Sequence, residues 1–78
     1  MAPHSSRTGI SSERQVGDVV RARRKAAGLT QVELAGLAGT GTRYISDLER
    51  GKPTIAMDKL LAVLAVLGLR LQIVAVDG

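Results

Sequence analysis

Four of the nine glycines, at positions 28, 39, 51 and 68, each follow a stretch of sequence that suits a helix. The residue just past a helix C-terminus often takes a left-handed backbone conformation, which glycine adopts without the steric penalty of a side chain. The four positions therefore predict four helix ends. With 78 residues the chain has room for one small domain, and the glycines restrict it to a helical one.

The helix starts carry signals of their own. Ser12 with Gln15, and Thr30 with Glu33, have the spacing of a capping box, in which side chains satisfy the free N–H groups of the first turn. Ala56 precedes the fourth helix without a capping side chain, and Thr54 is the expected substitute. We expect helices over about residues 13–27, 30–38, 42–50 and 57–67.

The second and third helices are short, and only Gly39–Gly41 separates them. The chain must therefore reverse within about three residues and pack one helix across the other, which is a helix-turn-helix. Apolar spacing predicts that these two helices bury Leu34, Ala35, Leu37, Ala38, Ile45 and Leu48.

After Gly68 the apolar period changes from helical to alternating, which predicts a strand. A lone strand cannot satisfy its own backbone groups, so antiparallel pairing with a second copy of the chain is the simplest solution. A frayed tail or an extension of the fourth helix is the alternative. The strand face expected at the dimer interface is Leu69, Leu71, Ile73 and Ala75.

The predicted fold class is all-α, a four-helix helix-turn-helix domain with a C-terminal β-strand that pairs across a homodimer. Residues 1–11 are expected to form a disordered tail, residues 12–68 the DNA-binding domain, and residues 69–78 the dimerisation strand and C-terminus. Because the fourth helix is apolar almost all round, Val63 and Val66 are expected to meet the partner subunit.

Composition limits the function. The net charge of +4 and a pI near 10.4 favour a polyanionic partner. One histidine, His4, and no cysteine argue against a metal site, a cofactor or an enzyme, since no nucleophile and base lie together. The apolar run 60–69 is too short to span a bilayer, and we expect a cytoplasmic, nucleoid-associated protein.

In a helix-turn-helix the second helix presents its N-terminal part to base edges in the major groove. With Ile45 and Leu48 turned inward, the outward side is expected to carry the base readers Thr42, Arg43 and Asp47. Arg43 can bond guanine O6 and N7 together, and a solvated surface charge is its plainer interpretation. Thr42 suits a thymine methyl group, and Asp47 either accepts from cytosine N4 or braces Arg43.

Phosphate contacts are expected beside these readers, from Gln31, Tyr44, Ser46, Arg50 and Lys52. For Tyr44, the only aromatic residue, the alternative is that it covers the edge of the core. The basic residues of the first helix point in several directions and are mostly solvated. Arg24 is the exception and is expected to form a structural ion pair with Glu49.

The segment GLTQVELAGLAGTGTRYISDLERGKPT resembles the XRE, or lambda-repressor-like, helix-turn-helix family. The resemblance covers about residues 13–69, and it implies sequence-specific binding of double-stranded DNA at a palindromic operator. The following LRLQIVAV resembles the strand of HipB-type antitoxins, which dimerise through it and repress their own operon with or without a kinase-like HipA toxin. Thr40 departs from the apolar residue that many members have at the turn.

Two hypotheses for the function therefore follow. One is a transcriptional repressor, either the antitoxin of a HipBA-type toxin-antitoxin operon or an orphan XRE-type regulator with no toxin partner. The other is an inhibitor that mainly holds a toxin enzyme inactive, with Val74 and Val76 on the free face of the strand as the contact.

Overall fold

The computed structural model of the chain describes residue 10, residues 12–53 and residues 56–76. Apart from the exposed Ile10, the predicted tail 1–11 lies outside the described residues, and so does Thr54. Within these ranges four helices follow in chain order: α1 Glu13–Ala26, α2 Gln31–Ala38, α3 Thr42–Glu49 and α4 Met57–Val66. The four predicted helices are confirmed, each to within one residue at either end.

Side-chain caps fix the starts of the first two helices. The Ser12 hydroxyl accepts a hydrogen bond of 3.2 Å from the Gln15 N–H. Thr30 and Glu33 form a full capping box, since the Thr30 hydroxyl accepts from the Glu33 N–H at 3.0 Å and the Glu33 carboxylate accepts from the Thr30 N–H at 2.8 Å. A cap of this kind is typically worth about 1 kcal/mol. α3 and α4 begin without a side-chain cap bond.

The helix ends are closed by the predicted glycines, whose φ angles all lie between 72° and 76°. At the end of α3 the Gly51 N–H donates to the Leu48 carbonyl at 3.1 Å, and the Lys52 N–H reaches back to the Asp47 carbonyl at 3.0 Å. This pair of bonds is a Schellman motif, and it requires the left-handed residue that Gly51 supplies. The turn places residues 50–52 directly beside the last turn of α3.

α3 packs against both α1 and α2, while α4 packs against α2. Ile45 and Leu48 of α3 are both buried, as expected, so the helix is anchored along one side. Between them the four helices enclose one core, and its buried apolar members among the described residues are Val20, Leu34, Ala35, Ile45, Leu48, Leu60, Val63, Leu64 and Leu67. Anchoring α3 from one side leaves the opposite side open.

For two apolar residues, Leu37 and Val63, the predicted environment is wrong. Leu37 is 64% exposed, because it follows the buried Ala35 by two residues and is therefore rotated from it by about 200° around the helix. Val63 was expected to meet a partner subunit, but it is fully buried in the core of this chain. Leu60 and Leu64 of α4 lie on the same stripe as the C-cap residue Leu67, and Val63 is at the centre of this stripe.

The segment 69–76 forms neither helix nor strand in the described part of the chain. Its first residue, Leu69, packs on the core and donates its N–H to the Leu64 carbonyl at 2.8 Å. A strand needs a neighbour to bond to, and the described residues of one chain contain none. Strand pairing between two copies therefore stays a prediction.

Candidate nucleic-acid interface

The outward side of α3 begins at its N-terminus. Thr42 and Arg43 are exposed there, and Ser46, one turn further on, is half-buried. The N-cap is Gly41, which follows the tight turn after α2. Because Ile45 and Leu48 hold the opposite side in the core, the first turn of α3 is presented to solvent on a fixed helix.

The Arg43 side chain is 83% exposed, and its Nε lies 3.8 Å from Asp47 Oδ2, one helical turn along. The carboxylate therefore lies beside the root of the guanidinium group and leaves the outer N–H groups uncovered. A planar guanidinium whose outer N–H groups are exposed can make two parallel hydrogen bonds to one acceptor pair.

Asp47 does not lie on the outward side, contrary to expectation. The residue is buried, and its side chain keeps only 11% of its surface accessible. Arg50 Nη2 donates to Oδ1 at 2.5 Å, while Lys52 Nζ lies 3.9 Å from Oδ2. The hydrogen bond from Arg50, supported by the charges of Lys52 and Arg43, lowers the pKa of Asp47, and partial burial opposes this shift only in part.

Arg50 and Lys52 are brought to Asp47 by the Schellman turn around Gly51. Their side chains remain 65% and 50% exposed although both lie close to the carboxylate. The turn cannot move outward freely, because Gly51 lies against α1, where an added Cβ would be 2.8 Å from the Arg14 Cα. The two cations therefore occupy a defined position at the C-terminal end of α3.

Arg24 and Glu49 form a buried ion pair between α1 and α3. Arg24 Nε is 2.6 Å from Glu49 Oε2, Nη2 is 3.0 Å from Oε1, and Nη1 donates to the Leu29 carbonyl at 2.8 Å. Gln31 joins the network, since its Nε2 donates to Glu49 Oε1 at 3.1 Å. The Gln31 side-chain amide thus already has a protein partner, and the Glu33 N–H is taken by the Thr30 cap. The backbone N–H groups of Gln31 and Val32 remain for other contacts.

The network sets the charge state of its members. Burial by itself raises the pKa of Glu49, but the hydrogen bonds from Arg24 and Gln31 and the charge of Arg24 outweigh it, so this pKa is lowered. The pKa of Arg24 is raised, chiefly by its hydrogen bond to Glu49. Both groups are therefore charged at neutral pH, and each compensates the other in a site that is largely covered by protein.

Tyr44 packs half-buried against the core, and its hydroxyl donates to the Ala56 carbonyl at 3.4 Å. Lys59 Nζ lies 5.7 Å from the centre of the ring. Burial, followed by the charge of Asp58, raises the pKa of Tyr44, so the phenol stays neutral. These contacts favour the interpretation in which Tyr44 covers the edge of the core and ties α3 to the start of α4.

Gly17 positions α3, and the sequence patterns did not identify it. A Cβ on Gly17 would lie 2.4 Å from the Leu48 carbonyl oxygen and 2.8 Å from that of Glu49. The backbones of α1 and α3 are therefore in direct contact at this point. The available signal was a glycine in the interior of an otherwise regular helix, which usually costs about 1 kcal/mol relative to alanine.

The residues expected at a dimer interface differ in their exposure to solvent. Val63 lies in the core, as described above, and Val66 and Leu69 are half-buried against it. Leu71, Ile73 and Ala75 are exposed. On α4 the exposed apolar side chains include Met57 and Leu61, which lie one turn apart.

Neither a metal site nor a membrane span is found in the described ranges. No group of three or more His, Cys, Asp or Glu side chains there is placed to hold a metal ion. No helix there has the length and apolar character needed to cross a membrane.

Known proteins resemble the chain in sequence and in fold. It is 48% identical over 66 residues to the uncharacterised HTH-type transcriptional regulator y4mF of Sinorhizobium fredii, covering 85% of this chain and 87% of the relative. It is 36% identical over 63 residues to the transcriptional regulator ClgR of Mycobacterium tuberculosis, covering 81% of this chain but only 56% of ClgR. In fold it is similar to a chain of the HipA-HipB-O2-O3 complex, with a TM-score of 0.78, 24% identity, and coverage of 90% of this chain and 99% of that one.

The family follows from these findings together with the geometry of α2 and α3. Residues 20–74 match the model of the helix-turn-helix family HTH_3, which is well over half of the chain. The matched region contains both short helices, the turn between them and the exposed start of α3. The chain therefore belongs to the HTH_3, XRE-type helix-turn-helix family of DNA-binding transcriptional regulators.

Proposed function

We propose that the protein is a homodimeric transcriptional repressor that binds a palindromic operator in double-stranded DNA at the bacterial nucleoid. The observation that carries the proposal is the exposed start of α3, with Arg43 at its tip and Arg50 and Lys52 fixed at its other end. In protein–DNA complexes some side chains read base edges and others contact phosphates. Arg43 is placed for the first role, and Arg50 and Lys52 are placed for the second.

The proposed roles follow the position of each side chain. Thr42 and Arg43 would read base edges, because both are exposed in the first turn of α3. Arg50 and Lys52 would contact phosphates at the rim of the groove. The half-buried Ser46 would contact a phosphate through its hydroxyl group. Gln31 would do so through the backbone N–H groups at the start of α2.

The test is selection of a binding site from a pool of randomised duplexes. A repressor of this kind should enrich one sequence with two-fold symmetry, because two copies related by a two-fold axis present their α3 helices about 34 Å apart. Binding should weaken steeply with salt, with a log-log slope near 0.9 for each phosphate contacted. A pool that gains no preferred sequence, or an affinity independent of salt, would contradict the proposal.

Replacing Arg43 and Lys52 separately by alanine should give two different results. Arg43→Ala is expected to lose about 1 to 3 kcal/mol of discrimination at one base pair of each half-site, since the bidentate contact carries sequence information. Lys52→Ala is expected to weaken binding to all sequences about equally and to reduce the salt slope by about 1 per subunit. Titration of the selected duplex and its single-base variants measures both. A uniform loss in Arg43→Ala would contradict base reading.

We propose that dimerisation uses the segment 69–76, paired antiparallel with the same segment of a second copy. Leu71 and Ile73 support this, because both are apolar and exposed and have no partner within the described chain. An extended segment that finds its hydrogen-bond partners only in another copy would satisfy its backbone and cover its apolar side chains together.

Deleting residues 70–78 is expected to convert a dimer into a monomer. Light scattering should give about twice the 8.2 kDa chain mass for the full-length protein and the single mass for the truncated one. Ile73→Asp should act in the same direction, because it places a charge between the paired segments. A full-length protein that stays monomeric at high concentration would contradict strand pairing, and unchanged dimers in both variants would assign the interface to another surface.

For the biological setting we propose the antitoxin of a HipBA-type operon that represses its own transcription. The segment LRLQIVAV after α4 supports it by its resemblance to HipB-type strands. The alternative is an orphan XRE-type regulator, and the relatives y4mF and ClgR, both named as transcriptional regulators, favour that possibility. A neighbouring gene for a kinase-like protein that co-purifies with this chain would support the antitoxin, while an isolated gene would support the orphan regulator.

A further inference from the structure

We propose that Asp47 is a positioning residue that sets the DNA specificity of α3 by holding three cations in place. This inference rests on the proposed function and assigns Asp47 a task other than base reading. The three cations are Arg43, Arg50 and Lys52, whose nitrogens lie 3.8, 2.5 and 3.9 Å from the carboxylate.

The Asp47 side chain is much less accessible to solvent than the three cationic side chains around it. The carboxylate side chain is 11% accessible, whereas the three cationic side chains are 83%, 65% and 50% accessible. The negative charge is therefore covered by the groups that it attracts, and the surface that faces solvent is positive. A side chain that reads bases must reach the base edges at the floor of the groove. The Asp47 carboxylate could do so only by breaking its hydrogen bond with Arg50.

The backbone of Asp47 holds the same residues a second time. Its carbonyl oxygen accepts the Arg50 N–H at 3.2 Å and the Lys52 N–H at 3.0 Å. Both the main chain and the side chain of one residue thus fix the turn 50–52 against the end of α3. Arg43, one turn earlier, is drawn to the other carboxylate oxygen. Long cationic side chains lose much rotamer freedom on binding, and an anchor that restricts them beforehand lowers that cost.

The Asp47 carboxylate also affects nonspecific binding to DNA. A carboxylate close to three phosphate-binding cations reduces their attraction for any polyanion, whatever its sequence. It therefore weakens binding to random DNA and at the same time restricts Arg43 to the geometry that reads one base pair. Both effects raise the ratio of specific to unspecific binding, which is the quantity that determines occupancy of an operator.

Asp47→Asn separates this role from a merely structural one. The variant keeps the shape and removes the charge, so affinity for a duplex of fixed random sequence should rise about threefold at low salt. Discrimination at the base pair read by Arg43 should fall about tenfold. Asp47→Glu keeps the charge but moves the carboxylate outward. It should leave the affinity for the random duplex unchanged and still reduce discrimination.

Asp18→Asn is the matched control. Asp18 forms an exposed pair with Arg14 on α1, at 3.6 Å, and its replacement changes the net charge by the same amount. It should leave discrimination unaltered, and thermal melting of all variants reports on folding. If Asp47→Asn behaves like Asp18→Asn, or if neither Asp47 variant loses discrimination, the inference is wrong. A wild-type protein that selects no sequence from the randomised pool would instead contradict the proposed function itself.

Discussion

Replacing Gly17 by alanine is expected to destabilise the fold by about 3 kcal/mol, near the upper end of the usual cost of overpacking. The added Cβ would lie 2.4 Å from the Leu48 carbonyl oxygen, and 2.8 Å from that of Glu49. Both oxygens belong to the backbone of α3, so no side-chain rotation can make room. α1 and α3 must move apart, and this movement also disturbs the Arg24–Glu49 pair between them.

Thermal unfolding followed by circular dichroism measures the effect. For a domain of this size 1 kcal/mol corresponds to about 4 to 8 °C, so the melting temperature should fall by about 12 °C or more at equal protein concentration. DNA binding should weaken as well, because α3 loses its position on α1.

Gly36→Ala is the matched control for this substitution. Gly36 also lies inside a helix, but an added Cβ there would meet no atom within 4 Å apart from its chain neighbours and the backbone of its own helix. The same chemical change should therefore be neutral or stabilise the protein by up to about 1 kcal/mol, since alanine is the better helix former. Equal effects at positions 17 and 36 would show that close packing is not the reason for Gly17.

Glu49→Gln is expected to cost about 3 kcal/mol or more. The variant keeps the size of the side chain but removes the charge that compensates the buried Arg24 guanidinium, whose side chain is only 10% accessible. Removing one partner of a buried ion pair typically costs about 3 to 5 kcal/mol, because the other charge stays in a site that excludes water. Denaturant unfolding at neutral pH measures the difference in the free energy of unfolding.

The same substitution should alter the response to acid. The pKa of Glu49 is lower in the folded chain than its ordinary value of about 4.3, so the ionised carboxylate stabilises the fold at any pH above that value. This contribution is lost as the pH falls through the lower, folded-state pKa. The wild-type protein should therefore approach Glu49→Gln in stability as the pH falls below the ordinary carboxyl range towards the lowered pKa of Glu49, while a constant difference at every pH would contradict the assignment.

An exposed ion pair provides the comparison. Arg14 and Asp18 lie 3.6 Å apart on α1, with side chains 74% and 66% exposed. Water screens such a pair, and Asp18→Asn should change the free energy of unfolding by less than about 0.5 kcal/mol. A similar loss in both variants would mean that burial does not determine the strength of the Arg24–Glu49 pair.

Much of the fold could be read from the sequence because its signals are local. A capping box and a left-handed glycine act within one turn of the helix that they begin or end, so Thr30 and Gly39 define α2 without reference to the rest of the chain. The inward side of α3 was also predictable, since Ile45 and Leu48 are its apolar pair at helical spacing.

The errors arose where a neighbouring element decides the outcome. Val63 is apolar and lies on a helix that is apolar almost all round, so the sequence does not indicate which side of α4 meets α2. Asp47 was expected to face outward because Ile45 and Leu48 take the inward side of α3, yet the turn at 50–52 brings two cations that allow it to be buried. Gly17 has no side chain, and its importance comes entirely from the backbone of α3.

The sequence by itself thus determined the number of helices, their limits and the helix-turn-helix arrangement, because capping and hydrophobic periodicity depend on residues only a few positions apart. The tertiary structure decided which charges are covered, namely those of Asp47 and Glu49. The sequence predicted that Arg24 pairs with Glu49, but the burial of that pair depends on how α1 packs against α3, and no local pattern records this packing.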